Sequence, residues 1–149
     1  MKKPLSRILV INDEKFILKE FIKGLNAAAK SMENPCGITF TGVTTAHEAL
    51  QSIEHDGDIQ ALVVDDRLYT LKNEGKHARD LQMTALELVQ KVTNFRPELN
   101  IYILIAQEQE DEVVDALFSE TVDGYFYREE RDYRGMYRIL NAQLQEKAR

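Results

Sequence analysis

The chain has 149 residues, 44% of them hydrophobic and 30% charged, with a formal net charge of −6. That length fits one domain over residues 1–149 that buries roughly two-thirds of the surface its unfolded form exposes, and no apolar run approaches the ~20 residues of a bilayer crossing, so no membrane contact is expected. The acidic balance argues against nucleic acid as a partner, since phosphate affinity rests on clustered Lys and Arg; a single cysteine, Cys36, and three scattered histidines, His47, His55 and His77, offer neither a disulfide nor zinc spacing.

The start, Met1 to Arg7, is positively charged, but a five-residue apolar run and then acids follow it, not the long apolar core of a signal peptide. A cytoplasmic location is the expectation. Arg7-Ile8-Leu9-Val10-Ile11 reads as a buried parallel strand ending at Asn12-Asp13-Glu14. Leu18, Phe21, Ile22, Leu25, Ala28, Ala29 and Met32 then recur at helical spacing across Lys15 to Met32, one stripe for packing on a sheet. Asn34-Pro35-Cys36-Gly37 breaks that helix. The run 38–43 is a second strand, placed near an edge because its alternation includes threonines.

Thr45 with Glu48 has the spacing of a capping box ahead of a short helix carrying Ala49, Leu50 and Ile53. The third strand, Ala61-Leu62-Val63-Val64, runs straight into Asp65 and Asp66, as a strand buried on both faces does when it ends at a solvated edge. Residues 67–82 form a polar insertion, longer than the usual βα loop of about 2–6 residues. Thr84 and Glu87 make a second capping box for a helix with Leu88, Val89 and Val92. A strand from Ile101 to Ala106, a helix around Val113, Val114 and Leu117, an aromatic strand from Val122 to Tyr127, and a helix lined by Tyr133, Met136, Tyr137, Leu140 and Leu144 complete the chain.

Five strands alternating with five helices predict a doubly wound α/β sandwich, a parallel five-stranded sheet of order 2-1-3-4-5 with right-handed crossovers. In that order the carboxyl ends of the first and third strands lie together at the switch point where ligands bind. Asp13, Glu14 and Asp65 would then gather hard oxygen ligands suited to Mg²⁺. The bland reading of Asp65 is a strand-end carboxylate paired with Arg128. Phosphate-cradling glycine motifs are absent from the sequence.

At these residues the chain resembles response-regulator receiver domains. Residues 7–14 look like their first strand and acidic pair, Ala61 to Asp65 like their phosphoacceptor strand, with further likeness at Ala85-Leu86-Glu87-Leu88-Val89 and Asp123-Gly124-Tyr125-Phe126. The resemblance implies a flavodoxin-like fold, Asp65 as phosphoacceptor, Asp13 as a Mg²⁺ ligand and a sensor histidine kinase as partner. Four positions depart from it. Asn12 stands where an acid is usual, Ile105 and Ala106 where a hydroxyl is usual, and Arg128 where a lysine is usual. Arg keeps the charge without matching a compact ammonium.

The departures make a pseudo-receiver the expectation. The chain resembles most the N-terminal wing domain of PLP-dependent ornithine, lysine and arginine decarboxylases, in the segment after the third strand, in Pro97 to Leu104, and in Val122 to Tyr127 followed by Glu129-Glu130. That resemblance implies a regulatory and assembly module, not itself an enzyme, whose partners are the parent decarboxylase domains or oligomer neighbours. The phosphoacceptor receiver using Asp65 and Mg²⁺ is the alternative. Tyr127, Arg128, Tyr133 and Arg134 form the candidate interface, because aromatics and arginines anchor interfaces.

Overall fold

The computed structural model describes residues 6–65, 84–105, 122–128 and 130–147. Its strands are β1 (Ser6–Ile11), β2 (Ile38–Val43), β3 (Ile59–Asp65), β4 (Asn100–Ile105) and β5 (Gly124–Tyr127), and its helices α1 (Lys15–Ser31), α2 (Ala46–His55), α3 (Ala85–Phe95) and α4 (Tyr133–Lys147). The five strands form one parallel sheet in the order β2-β1-β3-β4-β5, as expected from the sequence. The insertion at 67–82 and the helix expected around Val113, Val114 and Leu117 lie outside the described residues.

Alternation along each strand divides the core into two layers. Ile8, Val10, Ala61, Val63, Tyr102, Leu104 and Phe126 face α1 and α4, whose stripes supply Leu18, Phe21, Leu25, Met136, Tyr137, Leu140 and Leu144. Leu9, Ile11, Leu62, Val64, Ile101 and Ile103 face α2 and α3, which supply Ala49, Ile53, Leu88 and Val92. Central strands buried on both faces have no polar side to show, which is why they read as unbroken apolar runs. Phe126 falls on the first layer and Tyr127 against the second, as period-two alternation requires.

Strand β2 lies at the sheet edge, and one amide from α1 and one from the loop after it close much of that edge. Asn26 donates to the Phe40 carbonyl at 3.2 Å and accepts from the Phe40 N–H at 3.0 Å. Asn34 does the same for Ile38, at 3.1 Å and 2.9 Å. Each side chain imitates a neighbouring strand, so the outward groups of alternate residues are satisfied. The break after α1 turns at Gly37, whose φ of 62° is one that side chains disfavour.

Two local expectations shift. Thr84 and Glu87 form the full reciprocal box, but at Thr45 only half of it forms: the Glu48 N–H donates to Thr45 Oγ1, while the Glu48 carboxylate accepts from Thr44 N–H and from both threonine hydroxyls. Strand β5 begins at Gly124, later than Val122; just before it Asp123 holds Ile101 of β4 twice, its N–H donating to the Ile101 carbonyl at 2.8 Å and its Oδ2 accepting from the Ile101 N–H at 2.7 Å. At the opposite end of the sheet, Arg7 pairs with Asp56 and Arg96 donates to the Ile59 carbonyl at 3.0 Å, tying α3 to the start of β3.

Candidate functional site

Register builds the site. Ile11 lies beside Val64, so Asn12, just past β1, comes to lie beside Asp65, the last residue of β3. Leu104 lies beside Asp65, and Ile105 beside Tyr127, which brings Arg128 to the same carboxyl edge. The topological switch point is thus assembled from β1, β3, β4 and β5.

Asp65 is 3% exposed and Asn12 is 4% exposed, so the solvated strand end expected of Asp65 is corrected: neighbouring strands and the Arg128 side chain cover it. Asn12 Nδ2 donates to Asp65 Oδ2 at 3.1 Å, and Arg128 donates to Asp65 Oδ1 at 3.0 Å. The same guanidinium nitrogen donates to the Leu104 carbonyl at 3.1 Å, and the Arg128 backbone N–H to the Ile105 carbonyl at 2.8 Å. Asn12 is itself held, its Oδ1 accepting from the Glu14 N–H at 2.8 Å. A buried carboxylate here has a charged donor on one oxygen and an amide on the other, as a charge kept out of water requires.

Asp13 is half-buried and Glu14 exposed at the head of α1. Among the described residues no three His, Cys, Asp or Glu side chains converge to hold a metal ion. The guanidinium at Asp65 also opposes a divalent cation on the same oxygen. Ile105 is fully buried and offers no hydroxyl; Ala106, Asp66 and Glu129 lie outside the described residues.

The candidate interface residues are spread over the sheet edge. Tyr127 is half-buried against the α2 and α3 layer, with Tyr125 edge-on at 5.7 Å. Tyr133 is half-buried on the α1 side, its ring edge-on to Phe21 at 5.6 Å. Arg128 turns inward onto Asp65, and Arg134 is exposed in the first turn of α4. Sequence reasoning missed the part Asn12 plays: an amide at an acid's position signals a change of partner as well as a lost ligand. It also missed Phe16 and Ile17, which fall off the α1 stripe and are 73% and 43% exposed.

No protein-family model and no curated protein matches the sequence. Solved structures do. A response-regulator receiver domain protein from Clostridium thermocellum superposes with a TM-score of 0.72 at 18% identity, covering 97% of this chain and 98% of that one. A CheY-like receiver domain protein from Methanospirillum hungatei gives 0.66 at 20%, covering 97% of each chain. The beryllofluoride-activated DrrB receiver domain gives 0.66 at 16%, covering 95% and 98%. Among the described residues no helix is long and apolar enough to cross a membrane. The chain has the α/β, flavodoxin-like fold of response-regulator receiver domains.

Proposed function

We propose that residues 1–149 act as one degenerate receiver, a regulatory and assembly module that works by binding protein and takes up no phosphoryl group through Asp65. One observation carries the reading: Asp65 is buried, with one oxygen on Asn12 and the other on Arg128. An in-line nucleophile needs an open oxygen and a cation to neutralise the transferring group. Here the chain's own cation is on the nucleophile, and no hydroxyl at Ile105 awaits a phosphoryl oxygen.

The test is amide NMR of the 149-residue chain with Mg²⁺ and beryllofluoride. A spectrum that stays unchanged around Asp65 is expected. Saturable shifts there that vanish in Asp65→Asn would instead establish the alternative, a phosphoacceptor served by a sensor kinase.

Within that reading we place the module as the wing of an ornithine, lysine or arginine decarboxylase, on the strength of Pro97 to Leu104 and of the aromatic strand leading to Glu129-Glu130. No decarboxylation step belongs to these residues, and the partners would be the parent enzyme's other domains or its oligomer neighbours. The native reading frame decides: a PLP-enzyme domain encoded in continuity supports the wing, and its absence ends it.

A further inference from the structure

Between the first turns of α1 and α4, beside Arg128, lies an open pocket of about 840 Å³. Phe16, Ile17, Phe21, Leu104 and Tyr133 form its apolar walls, and Arg131 reaches it from the turn before α4. Two features set it apart from ordinary surface relief. Phe16 and Ile17 are adjacent and large, the first mostly and the second partly exposed, although burial of the α1 stripe does not require either of them. Arg131 is the only non-glycine residue with a positive φ, 49°, among the described residues. A side chain in that region is strained, and such strain collects at ligand-binding positions. The flanking bonds hold it: the Tyr133 N–H donates to the Arg131 carbonyl at 3.0 Å, and Asp132 caps α4 by accepting from the Gly135 N–H at 3.0 Å.

The charges select the ligand. Arg128 is matched by Asp65, so its charge is already balanced within the fold. Arg131 and Glu20 remain, one cation and one acid on the pocket lining. A polyanion would bring charges in excess of the one cation left on the lining, with Glu20 repelling the surplus, whereas a single carboxylate is matched by the Arg131 fork while an apolar body fills the space beside Phe16 and Tyr133. The volume falls within the range of small-molecule sites, and the lining sets apolar walls against charged groups, as an amphipathic ligand requires.

We infer that this pocket binds a small monocarboxylate with an aryl or branched-alkyl body, its carboxylate on Arg131 and its body between Phe16 and Tyr133. The pocket shares Leu104 and Arg128 with the Asp65 cluster, but the proposed ligand is held by Arg131 and not by Asp65 or Asn12, so its failure would leave the loss of phosphoryl transfer untouched.

Titration of the ¹⁵N-labelled 149-residue chain with 3-phenylpropanoate, 3-phenylpropanol and acetate tests it. The aryl acid is expected to give saturable shifts at Phe16, Ile17, Arg131 and Tyr133 below about 10 mM, in keeping with its size. The alcohol should bind about fivefold more weakly, and acetate should leave these amides still. Arg131→Gln should erase the preference for acid over alcohol, and Phe16→Ser should weaken both. Since Arg131 and Phe16 are exposed, both variants are expected to fold, which the dispersion of the same spectra verifies. Equal shifts from acid and alcohol, no saturation, or a preference that survives Arg131→Gln would overturn the inference.

Discussion

The Asp65 carboxylate sits in a place where ionisation is costly unless it is answered, and Arg128 answers it across the sheet edge. Arg128→Ala is expected to destabilise the chain by about 3 kcal/mol, because it strands a buried charge. Asp65→Asn in that background should recover much of the loss, a double-mutant cycle read by urea unfolding. Tyr102 gives a second handle. Its hydroxyl donates to Gln143 at 2.7 Å, and burial, reinforced by the Asp123 charge, pushes its pKa up to about 12. The unfolded phenol ionises first, so this contribution is complete below about pH 10 and is lost as pH rises toward 12, roughly 2 kcal/mol in all. Unfolding midpoints at about pH 9 and 11.5 should diverge less in Tyr102→Phe than in the parent. The sequence announced Asp65 as a strand-end acid and Arg128 as its bland partner, but burial depends on what neighbouring strands cover, and no local pattern encodes that.

At the scale of elements, the outer edge of β2 is guarded by Asn26 and Asn34. Asn26→Ala is expected to cost about 1–2 kcal/mol through two lost bonds to Phe40. Combined with Asn34→Ala it should expose a pairing edge, seen as concentration-dependent growth in light scattering that the parent lacks. Asn34 was legible as a helix breaker before Pro35, and α1 as an amphipathic helix. What the amides do afterwards was not, because their targets lie 4 and 14 residues on, fixed by how the chain returns from α1 into β2. Gly24 is similar. A Cβ there would collide with the Tyr133 ring, a contact between α1 and α4 that only the folded arrangement reveals.

For the molecule as a whole, strand count and order followed from apolar runs separated by amphipathic helices, since few topologies satisfy those rules. The site was legible as a location and less so as a chemistry, because the switch point gathers residues from four strands and their side chains decide what is gathered. Magnesium tests that chemistry at this scale. Raising Mg²⁺ to about 10 mM, or removing it with EDTA, should leave the urea midpoint unchanged, whereas a native-state site filled to ten times its Kd would add about 1.4 kcal/mol.

The Asp65–Arg128 contact joins residues 63 positions apart, and that separation has a kinetic meaning. Closing so long a loop is entropically costly, and the ion pair gains its geometry only once β3, β4 and β5 are aligned, so it belongs to the late part of folding. In a chevron analysis the Arg128→Ala variant should unfold faster while refolding at nearly the parent rate. The contact would then act as a latch, setting how long the native state lasts and leaving the speed of its formation to the helices and inner strands.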